Sequence, residues 1–182
     1  MSKRNQAVIV ETTPPESRQA AQTATGTPEE IRRSIAGIAL GHEGSTAWSY
    51  DTSHGQYGTN SYKCNSFVTD VLAEAGVPVG NLHDTFRHET VPTAGDWADR
   101  DFQIPGWIAL PPGTTPQPGD IVAEKHWYSI RATGHVGIIV TDKDGSIKSA
   151  SASSNQNKVV LDAWGAISDE KITVRRYVGV AT

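Results

Sequence analysis

The chain has one cysteine, Cys64, in the stretch NSYKCNSFVTDVL, where a polar segment gives way to a helical pattern. Phe67, Val71 and Leu72 recur at the spacing of one helix face, so Cys64 falls in the first turn of the predicted helix. Unpaired backbone N–H groups and the helix dipole favour a thiolate there by lowering the pKa of a thiol. The chemistry that this position offers is nucleophilic attack, with Asn65 as a neighbouring candidate for binding the developing oxyanion.

A nucleophilic cysteine also needs a base, and His135 opens the segment TGHVGIIV, which is otherwise an apolar strand pattern. A packing side chain is the usual choice at such a position. One cysteine with a histidine elsewhere in the chain is the pattern of a Cys/His enzyme. These residues alone leave an alternative open, since free cysteine is among the most buried residue types and His135 could be a hydrogen-bonded strand-end histidine.

Helical patterns precede strand patterns along the chain. The first helix is predicted to begin at a capping box, in which Thr27 is the cap and Glu30 stands three residues later. The second helix is predicted over about residues 62–75, with Asn60 or Ser61 as its cap. Both carry their large apolar residues on one face, which is typical of helices that pack against a core.

After residue 118 the pattern changes to short segments rich in β-branched residues, separated by Gly, Asp and Asn turns. Five strands are predicted, in GDIVAEKHWYSI, GHVGIIVTD, GSIKSASAS, KVVLDAW and KITVRRYVGV. Helices followed by strands predict one α+β domain over residues 27–182, with a central antiparallel sheet of about five strands. Residues 1–26 are rich in Thr, Gln, Ser, Pro and Ala, a composition that predicts a flexible tail.

Composition argues against several classes of function. The formal net charge of −4 comes from mixed charges without a basic block, which makes nucleic acid a poor partner. No stretch approaches the roughly 18 apolar residues of a membrane-spanning helix. We expect no metal or other cofactor, because HDTFRHE at residues 83–89 lacks the histidine spacing of a helical zinc site. We expect a monomer.

The first residues, MSKRNQAVIVETTPPESRQ, lack the long apolar run of a Sec signal peptide. The product is therefore expected to be made in the cytoplasm, with any export by another route.

Four segments resemble the motifs of a known superfamily. KCNSFVTDVL, PQPGDIV, TGHVGIIV and IKSASASS, between residue 62 and about residue 154, resemble in type and order the NlpC-type and CHAP papain-like cell-wall peptidases and amidases. The resemblance implies a papain-like fold, Cys64 as the nucleophile, and His135 as a base that later protonates the leaving amine. It also implies hydrolysis of amide bonds in peptidoglycan stem peptides through a thioester, with no cofactor.

With these motifs and no signal peptide, the chain also resembles the amidase effectors that bacteria deliver by type VI secretion. This resemblance implies secretion by a non-Sec route and an antibacterial action in the periplasm or cell wall of a target cell. It further implies a cognate immunity protein that occludes the cleft in the producing cell.

The third catalytic position departs from the family pattern. The resemblance implies a His, Asn, Asp or Gln on the next strand that orients the imidazole, whereas the matching position here is Ser149. A hydroxyl stabilises an imidazolium less than a carboxylate does. The enzyme is therefore predicted to use a Cys/His dyad, or to take its orienting group from elsewhere, with Asn155 and Asp120 as alternatives to Ser149.

Aromatic residues supply further candidates for the site. The resemblance implies a tyrosine near the oxyanion, which Tyr50 in WSYD could match. Three other aromatic residues compete for this position: Trp48, Tyr57 and Tyr62. Residues 80–118 form a long segment without a clear period, and we expect it to shape the substrate groove. Trp97 and Trp107 in this segment either pack beneath it or line the cleft as substrate contacts.

Two rival functions stay open on the sequence. The same dyad could run acyl transfer, as in transglutaminase-like enzymes, if an amine or alcohol replaces water as the acyl acceptor. Product analysis separates this rival, since transfer leaves a new amide or ester. The chain could also be a non-catalytic wall-binding module, which the weak third residue favours. A Cys64 that is alkylated at about pH 6 no faster than a free thiol would indicate such a module.

Overall fold

A computed structural model of the chain describes residues 24–80, 91–126, 132–167 and 169–179. In these residues the chain forms three helices and six strands. The helices are α1 (Pro28–Gly41), α2 (Cys64–Glu74) and α3 (Ala94–Ala98). The strands are β1 (Trp107–Ala109), β2 (Ile121–Lys125), β3 (Gly134–Thr141), β4 (Ile147–Ser153), β5 (Lys158–Asp162) and β6 (Thr173–Tyr177).

The six strands form one sheet in the order β1-β6-β2-β3-β4-β5, and every neighbouring pair is antiparallel. The α+β class and the antiparallel sheet predicted from the sequence are therefore confirmed. The sheet has one strand more than predicted, because β1 lies in the segment 80–118, where no element was foreseen. That segment also contains α3, and both elements are too short for a periodic pattern to reveal them.

The start of α1 follows the prediction, whereas that of α2 does not. Thr27 and Glu30 form the predicted capping box of α1. Helix α2 begins at Cys64, later than predicted, and its N-cap residue Lys63 makes no side-chain capping hydrogen bond. The predicted caps Asn60 and Ser61 are wrong, since Asn60 has a φ of 57° in the preceding turn and the Ser61 hydroxyl donates to the Gly58 carbonyl. The first backbone N–H groups of α2 are thus left without a side-chain cap.

The sheet is covered by apolar side chains on both faces. On the helix side, Phe67 and Val71 of α2 pack in one core with Val136 and Ile138 of β3. Ile139, which alternates with Ile138 along the strand, belongs to a smaller cluster on the opposite face. The sequence of β3 after His135 is a continuous apolar run because both faces of this strand are buried.

Some predictions fall on residues that the structure does not describe. They are the greater part of the predicted tail, residues 1–23, and the HDTFRHE segment, residues 83–89. In the described ranges, no helix has both the length and the apolar character needed to cross a lipid bilayer. The same ranges contain no group of three or more His, Cys, Asp or Glu residues that could hold a metal ion.

Candidate active site

Cys64 is the first residue of α2, and its thiol is buried against the start of β3. Burial raises the pKa of the Cys64 thiol, while hydrogen bonds from the backbone N–H groups of Val136, Asn65 and Cys64 itself act in the opposite direction. The helix start thus supplies the predicted N–H donors, but the expected net fall in the thiol pKa is wrong, because desolvation outweighs them. Burial therefore favours the neutral thiol over the thiolate.

His135 is the second residue of β3, and its imidazole is partly buried. Burial lowers the pKa of His135, and the nearby carboxylates of Asp162 and Glu124 partly oppose this, while His126 adds to it. A neutral imidazole is the form that can accept a proton from a thiol. Burial thus favours the neutral form of both side chains.

The structure brings Cys64 and His135 to the wall of one cavity of about 450 Å³. Ser151, Asn155 and Asp162 line the same cavity. The two residues that the sequence singled out as nucleophile and base thus face a common space large enough for part of a peptide.

A second cavity, of about 350 Å³, adjoins Cys64 as well. It is lined by Tyr57 and Asn65, and it shares Tyr62, Cys64 and Gly134 with the first cavity. The thiol therefore lies where two grooves meet, which is the arrangement needed to hold the two sides of a scissile bond.

The hydroxyl that contacts His135 belongs to Ser151 and not to the predicted Ser149. His135 Nε2 lies 3.1 Å from Ser151 Oγ. The register pairs Ile139 with Ser149, which places Ser149 farther along β3 from His135. Its Oγ is buried and has no hydrogen-bond partner in the described part of the chain. Ser149 faces Gly137 instead, where an added Cβ would come 2.4 Å from that oxygen.

The two alternatives for the orienting role have different surroundings. Asp120 is fully buried and binds Arg176 through both carboxylate oxygens, at 2.9 and 2.7 Å. Asp120 also accepts a hydrogen bond from the backbone N–H of Gln117, as expected for a structural turn residue. Asn155 is exposed and lines the cavity of Cys64 and His135. Of the two, only Asn155 lies where it could reach a substrate.

Two of the aromatic candidates lie away from the cavities. Trp97 is fully buried and packs edge to face on Trp107, with ring centroids 5.4 Å apart, so its prediction as a substrate contact is wrong. Tyr50 does not line either cavity but packs against Tyr62, which lines both. Among the residues that the structure describes, the tyrosines that line a cavity together with Cys64 are Tyr62 and Tyr57.

Asn65 follows Cys64 in α2 and lines the second cavity. Its side-chain amide donates to the Tyr57 hydroxyl at 2.8 Å and to the Pro92 carbonyl at 3.5 Å. The amide group is thus already engaged, whereas the backbone N–H of Asn65 points to the thiol. The role of Asn65 at the oxyanion stays a prediction, and its backbone N–H is the better-placed donor.

Lys63, directly before the nucleophile, has a role that the sequence did not reveal. Its side chain is buried, and Nζ donates to the backbone carbonyls of Ser49 and Ser61 at 3.0 Å each. A third hydrogen bond, of 3.4 Å, reaches the Tyr50 carbonyl. Lys63 therefore ties the aromatic loop before α2 to the start of the helix. The local sequence contains one sign of this role: the helix dipole disfavours a positive charge at a helix start, and Lys63 is the N-cap residue of α2.

Comparison with known protein families identifies one family for this chain. The family model described as CHAP domain matches residues 53–153, more than half of the 182 residues. The matched range contains Cys64, His135 and Ser151. No curated protein matches the chain.

Proposed function

The chain belongs to the CHAP domain family, whose members are typically peptidoglycan amidases or peptidases, and on that premise we propose that it hydrolyses amide bonds in peptidoglycan stem peptides with Cys64 as nucleophile. The observation that carries the proposal is the placement of Cys64, at an uncapped helix start, and His135 on the wall of one cavity. The papain-like fold of the family is the one that the sequence motifs indicated.

The proposed reaction starts from the neutral thiol and the neutral imidazole. With the Ser151 hydroxyl accepting from Nε2–H of His135, Nδ1 carries the lone pair that takes the proton from the Cys64 thiol. The sulfur attacks the amide carbon, and the carbonyl oxygen becomes an oxyanion. The C–N bond then breaks, the imidazolium gives its proton to the leaving amine, and a thioester remains. Water, deprotonated by His135, hydrolyses the thioester to a free carboxylic acid and restores the thiol.

Negative charge on the oxyanion calls for donors near the thiol. The backbone N–H groups of Cys64 and Asn65 already point at the sulfur, since both act to lower the pKa of the thiol. Donors in this position are fixed by the helix before the substrate arrives, so they need no rearrangement during the reaction. They support the amide-cleaving proposal over a purely structural cysteine.

Digestion of purified peptidoglycan, followed by mass spectrometry of the fragments, tests the proposal. We expect the wild-type chain to release fragments with one new carboxyl group and one new amine, whose masses identify the bond that is cut. Cys64→Ala is the matched control and should release none. Fragments with a new amide or ester would indicate acyl transfer, and muropeptides unchanged by the wild-type chain would refute the proposal.

We propose further that the substrate is met in the wall of a target cell, where the chain acts as an antibacterial effector against which the producer holds an inhibitor. The support is the resemblance of the Cys64 and His135 motifs to type VI amidase effectors. Expression in a Gram-negative host tests this, with and without a fused periplasmic signal. We expect lysis only when the wild-type chain is directed to the periplasm, and none with Cys64→Ala. If the strain that directs the wild-type chain to the periplasm grew as well as the strain that directs Cys64→Ala there, the effector role would be contradicted.

A further inference from the structure

The ring of Trp164 packs against that of His135, and Trp164 donates two hydrogen bonds, one from its indole and one from its backbone. The two rings have centroids 4.5 Å apart and an interplanar angle of 60°. The indole Nε1 of Trp164 donates to Glu124 Oε2 at 3.3 Å, and the backbone N–H of Trp164 donates to Asp162 Oδ1 at 3.0 Å. One tryptophan thus connects the imidazole to two carboxylates from different strands.

The sheet register explains why these groups meet. Glu124 of β2 is directly opposite His135 of β3, so both side chains lie on one face of the sheet. Asp162 pairs with Ser149, which pairs with Ile139, and this places Asp162 on the same face. Trp164 packs on this face against the smaller apolar cluster.

The chain after Trp164 is pressed onto this face. Gly165 has a φ of +71°, a backbone conformation that suits glycine. A Cβ at this position would come 2.7 Å from the side chain of Val122 in β2. The close approach leaves the indole little freedom to move away from His135.

We propose that Trp164 is a positioning residue for the catalytic base: it fixes the ring of His135 and, with Glu124 and Asp162, stabilises the imidazolium that forms when the thiol is deprotonated. This rests on the proposed function, because it gives His135 the role of base. The carboxylates of Glu124 and Asp162 supply the negative charge that the Ser151 hydroxyl lacks, because a neutral partner stabilises a cation less than a carboxylate does.

The physical terms act together on the imidazolium. An aromatic face attracts a cation, and the attraction grows where water is excluded. Asp162 and Glu124 raise the pKa of His135 against the effect of burial, while His126 opposes them. Lys63 also lines the cavity, but its ammonium is turned to backbone carbonyls. Of the charged groups that act on the His135 ring, Asp162 has the largest effect and raises its pKa.

The local sequence gave no sign of this arrangement. Trp164 and Asp162 lie beyond residues 53–153, the range that the CHAP domain model matches. Their contact with His135 depends on the path of the chain after β5. The arrangement is thus a property of this chain's own sheet and of the loop that follows it.

The first test follows the titration of His135 by NMR in the full chain with ¹³C-labelled histidine, the signal being assigned by its loss in His135→Ala. Glu124→Gln retains an acceptor for the indole and removes one charge that raises the pKa of His135, so the His135 midpoint should fall. Glu170→Gln is the matched control, because it removes an exposed carboxylate of the same type, and it should leave the midpoint unchanged. Equal midpoints in wild type and Glu124→Gln would overturn the electrostatic part.

The second test measures peptidoglycan hydrolysis. Trp164→Ala should lower kcat roughly tenfold, because the indole that packs on the base is lost, with a smaller rise in KM, because Trp164 also lines the cavity. Trp164→Phe keeps an aromatic face and should recover part of the loss. A wild-type kcat in Trp164→Ala, or a loss seen only in KM, would overturn the positioning role. If Trp164→Ala does not fold, Trp164→Phe and Glu124→Gln decide the matter by the same criteria.

The two tests separate failure of this inference from failure of the proposed function. The NMR titration needs no substrate. Suppose that the His135 midpoint falls in Glu124→Gln but not in Glu170→Gln, and that the wild-type chain leaves peptidoglycan intact. The influence of Glu124 on His135 would then stand, and the proposed hydrolase function would be refuted. If the wild-type chain cleaves peptidoglycan and the Trp164 and Glu124 variants behave as the wild type does, the hydrolase function would stand and this inference would be refuted.

Discussion

His135→Ala should lower the rate of peptidoglycan hydrolysis by about 10²–10⁴-fold, the usual contribution of a general acid–base group, while the free energy of unfolding changes much less. The imidazole takes the thiol proton, returns it to the leaving amine and later deprotonates the water, so neither acylation nor deacylation proceeds well without it. Initial rates of fragment release, together with circular dichroism of the variant, measure both quantities. Activity within a factor of a few of wild type in a folded variant would exclude His135 as the base.

Two of the three serines of β4, Ser149 and Ser151, are matched controls for this result. Ser151→Ala removes the hydroxyl beside His135 Nε2 and should cost about threefold to tenfold in kcat, the worth of one neutral hydrogen bond. Ser149→Ala removes a buried hydroxyl without a partner among the described residues, so we expect near wild-type activity. If Ser149→Ala were as inactive as His135→Ala, both the dyad and the position assigned to Ser151 would be wrong.

The pH dependence of hydrolysis follows from the same residues. Burial lowers the pKa of His135 below the ordinary histidine value of 6.5, and the base must be unprotonated to act. Activity should therefore rise with pH through a midpoint below 6.5, and it should already be near its plateau at neutral pH. A midpoint above the ordinary value would indicate that the carboxylates of Asp162 and Glu124 outweigh burial.

Arg176→Met should destabilise the fold by about 3–5 kcal/mol, because it leaves the carboxylate of Asp120 buried without its counter-charge. Asp120 is fully buried and accepts two hydrogen bonds from the Arg176 guanidinium. Urea denaturation of the wild-type protein and of Arg176→Met measures the difference in the free energy of unfolding. Arg33→Met is the matched control, since its pair with Glu29 is exposed and should contribute no more than about 0.5 kcal/mol.

A second substitution identifies the cause of the expected loss. Asp120→Asn in the Arg176→Met background removes the unpaired charge and retains a polar group in the turn, so it should recover part of the stability. Equal stability of Arg176→Met and Arg33→Met would contradict the role of the buried pair. The same pair explains why Asp120 does not orient His135, since both of its oxygens are engaged elsewhere.

The sequence by itself determined the features that depend on neighbouring residues. The place of Cys64 in the first turn of a helix follows from the local apolar period, and the capping box of Thr27 and Glu30 follows from their spacing of three. The strand of His135 follows from its run of β-branched residues, and the order of helices and strands predicted the α+β class. These signals are local because backbone hydrogen bonding and caps act over a few residues.

Only the tertiary structure decided which residues surround the base. Whether Ser149 or Ser151 contacts His135 depends on the register between β3 and β4, and alternate serines in SASAS look the same in the sequence. Glu124 and Trp164 reach the imidazole from strand and loop segments that are distant along the chain. The net direction of the Cys64 pKa likewise depends on burial, which packing creates and no local pattern records.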